Sequence, residues 1–233
     1  MRQKQMGFTL VEIAIVLVII GLLLGGVLKG QELINSAKVK NFANDFRNIP
    51  LFIYGYQDKF KALPGDDANV GDHLGGICAN ATPGDPTTSP CRSGTGPVGN
   101  GVINGVWDTT TAADETARFW QHVRVANFAA GPTNTADTAY YPTNADGGRI
   151  GIESGTGGGA EFITGLTGTY VICSRGILGK FAKQLDTTVD DGNTAAGSMR
   201  AVASTVVGTT RNTAAVPTGT IDDATSYTVC MAF

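Results

Sequence analysis

The sequence predicts an α+β chain: a long N-terminal α-helix, membrane-spanning in its first half and amphipathic in its second, packed against an antiparallel β-sheet head. Three observations lead there. The run from Phe8 to Leu28 is apolar and carries charge only at Glu12. From Gln31 onward, Leu33, Ile34, Ala37, Phe42, Phe46 and Ile49 recur at helical spacing among Lys38, Lys40, Asn41, Asp45, Arg47 and Asn48. Beyond about Lys59 the composition shifts to Gly, Thr, Ala, Asn and Asp, with short β-leaning runs between turn signals.

The run Phe8 to Leu28, as a helix, spans about 32 Å, enough for a hydrocarbon core of about 30 Å. Arg2 and Lys4 precede it, so the positive-inside rule keeps the N-terminus cytoplasmic and sends the rest outward. An ordinary secretory signal has an apolar core of about 7–15 residues and ends at small residues. Here the run is longer, contains an acid near its start and leads into VLKGQEL. An ionised carboxylate deep in a bilayer costs roughly 2.5–3.5 kcal/mol on insertion scales, so Glu12 points to a binding event inside the membrane or inside a helix bundle.

The segment MRQKQMGFTLVEIAIVLVIIGLLL resembles the processing motif of type IV prepilins and type II secretion pseudopilins. The resemblance rests on the basic leader, the Gly7-Phe8 junction, Thr9, Leu10, Glu12 and the aliphatic helix that follows. It implies that a prepilin peptidase cuts after Gly7, that the new N-terminal Phe8 is N-methylated, and that Glu12 is the family's assembly glutamate. Residues 1–7 are then a cleaved leader, 8–58 the helix and 59–233 the head. Cleavage creates an α-amino group on Phe8, cationic near neutrality with a reference pKa of about 8. Adding a subunit to a filament would set that amine beside Glu12 of a neighbouring copy, offsetting the cost of burial and fixing register.

Gly21, Gly25, Gly26 and Gly30 give small-xxx-small spacings that allow close helix packing, although glycine is also simply common in membrane helices. The resemblance adds local loosening of the helix as it leaves the membrane. Family members often carry a proline near this stretch; this chain has Lys29 and no proline before Pro50. Pro50 is expected to end the helix near Ile49 or bend it, with LFIYGY continuing towards Asp58.

In the head, a helix is expected over Ala112–Phe128, opened by a Thr111/Asp114 capping box and stopped by Gly131-Pro132. Strands are expected at Arg149–Ile152, Glu161–Leu166, Thr169–Cys173, Met199–Val207 and Ser226–Ala232, and a short helix at Lys180–Leu185. LPGDDAN (63–69), GNG (99–101), the Trp120 region and the stretch 186–201 also resemble a subgroup of bacterial pilin-like proteins.

Cys78, Cys91, Cys173 and Cys230 all lie beyond the membrane run, in an oxidising compartment by the topology above. Four cysteines allow three pairings. The favoured one is Cys78–Cys91 with Cys173–Cys230; closing a loop of about 13 residues contributes roughly 3 kcal/mol in the chain-entropy picture. There is no CxxC, and His73 and His122 are the only histidines, which argues against a zinc site.

Loss of Arg2 and Lys4 with the leader moves the formal charge from −3 to −5, which disfavours nucleic acid as a partner. Arg118 and Arg124 are read as solvated helix charges. No catalytic residues are assigned. Gly155 to Ala160 formally fits a relaxed dinucleotide fingerprint, but EFITGL after it is no helix, so a hairpin loop is expected. His122 is read as a surface or packing residue, and His73 as a loop residue. Asp66, Asp67 and Asn69 form one oxygen-rich turn, and Asp190, Asp191 and Asn193 another. Some pseudopilins carry a structural calcium near their C-terminal loops, so the resemblance makes the second turn a candidate. Neither follows EF-hand spacing, and the expectation is no cofactor and ordinary turns.

The expected function is a non-enzymatic subunit of a type IV pilus or pilus-like filament. Its partners would be other pilin-like subunits, prepilin peptidase, an inner-membrane assembly platform, and membrane lipid before assembly. It would begin as a single-pass inner-membrane protein with a periplasmic head and end in a surface pilus or periplasmic pseudopilus. The alternatives are a type II secretion pseudopilin and a membrane-tethered binding protein or enzyme on a pilin-like anchor.

Overall fold

A computed structural model describes residues 10–79, 91, 97–155 and 159–233. Helix α1 runs from Leu10 to Phe60, about 77 Å at the α-helical rise. Its two halves have opposite surroundings. From Leu10 to Val27 every side chain faces outward, whereas Val39, Phe42, Ala43, Phe46, Ile49, Ile53 and Tyr56 are buried. These seven fall three or four apart, one stripe of the helix, and that stripe is the face laid on the head.

The helix does not end at Ile49: Pro50 sits inside it and α1 continues to Phe60. An interior proline costs about 3 kcal/mol. Fully burying Ile53 and Tyr56 one and two turns later returns about 1.5–3 kcal/mol each, enough to carry the helix through. It stops at Lys61, whose φ of 54° is left-handed.

Four antiparallel strands follow: β1 (Ile150–Ser154), β2 (Tyr170–Leu178), β3 (Met199–Ala203) and β4 (Ser226–Ala232), in the sheet order β1-β2-β4-β3. Alternation sorts their side chains. Ile150, Ile152, Tyr170, Ile172, Met199, Ala201, Tyr227 and Val229 share a core with α1; after the short α2 (Val70–Leu74), helices α3 (Glu115–Val125) and α4 (Gly179–Val189) join it. Phe42 on α1 meets Phe181 on α4 at 6.1 Å between ring centroids. The opposite sheet face carries Val171, Cys173, Val202, Cys230 and Ala232 against Trp107, Phe162, Ile163 and Leu166. Trp107 lies so close over β1 that a Cβ on Gly151 would come within 1.9 Å of its carbonyl oxygen. Glu153 of β1 is fully buried, paired with Arg211 and accepting the Trp107 N–H.

Several expected elements change. Ser226–Ala232 is found as expected, β2 is longer than Thr169–Cys173, and Met199–Val207 shortens to β3. Glu161–Leu166 is not a strand. It makes one isolated bridge, Ile163 to Thr213, and turns back at Gly165, whose φ is 73°. Its apolar residues Phe162, Ile163 and Leu166 plug the second core as a loop instead. Helix α3 is shorter than Ala112–Phe128, and no capping box opens it. Asp114 is the N-cap residue, and its carboxylate accepts the Thr109 hydroxyl. The helix ends before Gly131-Pro132 through Asn127, at φ 64°, with Phe128 N–H bonded to Val123 C=O, a Schellman closure with asparagine in the left-handed position. Arg118 and Arg124 are not solvated: both are 6 % exposed. Arg124 donates to the carbonyls of Pro132 and Tyr140 and lies over the Tyr140 and Trp120 rings.

Phe46 is 0 % exposed at the centre of the α1 stripe. Phe46→Ala should cost about 3–5 kcal/mol by the usual price of a large cavity. Urea denaturation of the full chain in detergent micelles, followed by near-ultraviolet circular dichroism, measures it; a loss below 1 kcal/mol would mean that α1 does not anchor the head.

Candidate functional site

Gly7 and Phe8 lie outside the described residues. Glu12 stands on the exposed surface of α1, within the apolar half. The helix is long and apolar enough to cross a membrane. Gly21, Gly25, Gly26 and Gly30 line this half, and a Cβ placed on any of them would meet no atom within 4 Å. The head therefore makes no use of their small size. Whatever packs against that surface lies outside the described residues of the head.

The distal end of α1 is built differently, around residues that local pattern does not reveal. Tyr56, at 0 % exposure, donates its hydroxyl to Asp67 Oδ2 at 2.7 Å. His73 Nδ1 meets the same oxygen at 2.7 Å, while Asn69 N–H bonds Asp67 Oδ1. Asp66 accepts the backbone N–H groups of Gly99, Asn100 and Gly101. The LPGDDAN and GNG segments are thus two halves of one clasp, a carboxylate held by a loop of amides. Burial still raises the Asp66 carboxyl, against the lowering effect of those amides.

His122, read from sequence as a surface or packing residue, is 1 % exposed and joins two loops. Gly65 N–H donates to its Nδ1 at 2.9 Å, so its proton sits on Nε2 and is donated to the Cys91 carbonyl at 2.6 Å. Burial lowers its pKa to about 4, keeping the ring neutral in this role. The signal was its helical register with Phe119 and Val123, both fully buried. Both disulfides take the favoured pairing: Cys78–Cys91 brings the loop to His122, and Cys173–Cys230 joins directly opposed residues of β2 and β4.

A cavity of about 770 Å³ opens beside the clasp, lined by Gln57, Phe60, Asp66, Asp67, His73 and Tyr170 among others. None of the described lining residues is a serine, threonine or cysteine. Both Asp66 oxygens and both Asp67 oxygens already accept hydrogen bonds within the protein. Phe60 stacks on His73 at 5.5 Å and carries Lys59 Nζ over its ring. The arrangement clamps loops together through side chains whose polar atoms are already engaged. The glycine-rich stretch at 155–160 is partly outside the described residues. It follows β1 and leads to β2, an antiparallel neighbour, and so lacks the βαβ context that a dinucleotide site needs.

The turn at 190–193 is drawn tight by its own side chains. Asp191 Oδ1 accepts Asn193 N–H, Asn193 Oδ1 accepts Ala195 N–H, and Asp190 Oδ2 accepts Met199 N–H. The structure adds Asp186, which sequence reasoning passed over, to this cluster.

Comparison with known proteins bears on the first part of the chain. Residues 2–28 match the family model described as the prokaryotic N-terminal methylation motif, the signature of type IV pilins and pseudopilins. No curated protein and no solved structure matches the chain. The chain thus carries a pilin-type N-terminus on a pilin-like α+β architecture.

Two outcomes test the polar core. His122→Ala leaves the Gly65 N–H and the Cys91 carbonyl without partners, at about 1–3 kcal/mol each. Thermal or urea denaturation should register a loss of about 2–5 kcal/mol. Glu115 is fully buried: Asn104 donates to its Oε2, and Oε1 has no partner among the described residues. Burial raises its carboxyl from the ordinary 4.5 to about 7, with Asp66 and Asp114 adding to the rise. The native state holds this proton more tightly than the unfolded chain. Its contribution is therefore full below about 4.5 and is lost as pH rises through about 7. Relative to the wild type, Glu115→Gln should gain of order 1–3 kcal/mol between pH 4.5 and 7.5 in urea titrations; parallel pH profiles would refute the assignment.

Proposed function

We propose that this chain is a structural subunit of a type IV pilus or a pilus-like filament, assembled through α1. The observation that carries the reading is the pairing of a methylation motif with a half-helix that its own head leaves uncovered. Buried apolar surface contributes about 25 cal/mol per Å², so this surface must stay in lipid or pass into a bundle of like helices. The precursor sits in the inner membrane with its head in the periplasm. Prepilin peptidase cuts after Gly7, Phe8 is methylated, and an assembly platform moves the helix from lipid into the filament. There the Phe8 ammonium of one subunit meets Glu12 of another, and Gly21, Gly25, Gly26 and Gly30 let backbones approach.

Glu12 chemistry provides the test. Glu12→Ala and Glu12→Val should be cleaved and membrane-inserted like the wild type, yet fall at least tenfold in fibres sheared from cells, by immunoblot. Mass spectrometry of the wild-type fibre should show methylated Phe8 as the first residue. Ordinary incorporation of both variants would remove the proposed role of Glu12. Loss of exoprotein secretion on deletion, with no fibres at all, would move the chain to the pseudopilins of a secretion machine.

A further inference from the structure

The cavity of about 770 Å³ beside the clasp lies at the end of α1 farthest from the apolar half. Clefts of about 300–1,000 Å³ are the usual size for small organic ligands. Its fixed charges are already answered from within the protein. Asp66 is held by the amides of Gly99, Asn100 and Gly101. Asp67 is held by the Tyr56 hydroxyl, the His73 ring and the Asn69 N–H. Lys61, on the rim, pairs with Asp58 at 3.3 Å. Two carboxylates in the wall disfavour an anion, and the donors around them leave an ammonium no open carboxylate face.

What remains open is neutral and hydrogen-bonding. Asn69 holds the N-cap position of α2, yet its side chain makes no capping bond and has no partner among the described residues. A carboxamide offers a donor and an acceptor side by side. His73 binds Asp67 through Nδ1, which leaves Nε2, on the opposite edge of the ring, without a partner among the described residues. The His73 side chain is 26 % exposed. One face of its ring stacks on Phe60 at 5.5 Å with 25° between the planes, so a ligand meets the other face and Nε2.

That pattern of donors and acceptors identifies the ligand class. A sugar hydroxyl both donates and accepts. Vicinal hydroxyls therefore match the Asn69 carboxamide, and one hydroxyl satisfies His73 Nε2 whether that nitrogen carries a proton or not. A pyranose also has an apolar C–H face to set against the imidazole. An extended peptide fits less well. Tyr170 in the cavity wall belongs to β2, which is paired on both sides and offers no edge for strand addition.

We propose that this cavity binds a neutral saccharide, held by Asn69 and His73. The site belongs to the head alone, so it does not depend on whether the chain ends in a pilus or a pseudopilus.

The experiment applies the full chain, in a sugar-free zwitterionic detergent, to an array of neutral oligosaccharides of glucose, galactose, mannose and N-acetylhexosamines. Sialylated and sulfated glycans and spermine are the charged probes, and saturation-transfer NMR titrates whatever binds. At least one neutral oligosaccharide should bind. Asn69→Ala removes no side-chain bond among the described residues, so its melting temperature by circular dichroism should match the wild type. Its affinity should nevertheless fall about tenfold, the worth of one or two neutral hydrogen bonds. His73→Phe keeps the stack on Phe60, loses Nε2 and should weaken binding similarly; Asn69→Ala decides the matter if that variant does not fold. The proposal is overturned if no neutral saccharide binds the wild type or if Asn69→Ala binds with unchanged affinity. Binding confined to the anionic glycans or to spermine overturns it equally.

Discussion

Everything in this chain is arranged around a helix that its own fold can only half cover. The buried stripe from Val39 to Tyr56 holds the head, while the apolar residues from Leu10 to Val27 project away from it. So much contiguous apolar surface is unfavourable in water. The head is therefore organised to grip the other half firmly, with α4 and α3 flanking it and the sheet beneath.

That firmness comes from polar groups as much as from packing. The sheet is short, at most nine residues in a strand, and the described residues between Leu63 and Tyr141 are mostly loop, with three short helices among them. Those loops are fastened by buried side chains reading distant backbone: His122 on Gly65 and Cys91, Asp66 on the 99–101 amides, Arg124 on Pro132 and Tyr140, Glu153 on Trp107 and Arg211. Each would cost free energy if left unsatisfied, so each fixes one loop path against its alternatives.

The contrast explains what was legible in the sequence. Periodicity revealed α1, because every third or fourth residue of its second half is apolar, and a β-leaning run revealed β4. Glu161–Leu166 shows the limit of a β-leaning run as a signal. Phe162, Ile163 and Leu166 are buried as a strand's would be, but the bonds to Asn212 and Thr213 and the turn at Gly165 give a loop. Arg118 and Arg124 were misread since what decides their burial is remote in the fold: aromatic faces and carbonyls of a segment that folds back over α3. Asp186 was invisible for a related reason. A lone acid on a helix means little until the next turn brings Asp190 and Asp191 to it. The N-terminal chemistry was legible because it is written contiguously, and its match over residues 2–28 agrees with that reading.

Strand β4 occupies the interior of the sheet, between β2 and β3, although it follows both in the chain. A chain that has formed β2 and β3 but not yet β4 therefore holds two open edges and only one of the cysteines of the Cys173–Cys230 bridge. Closure waits for the final stretch to arrive, insert and be oxidised. Strand order and disulfide together make β4 the element that completes the sheet and locks it.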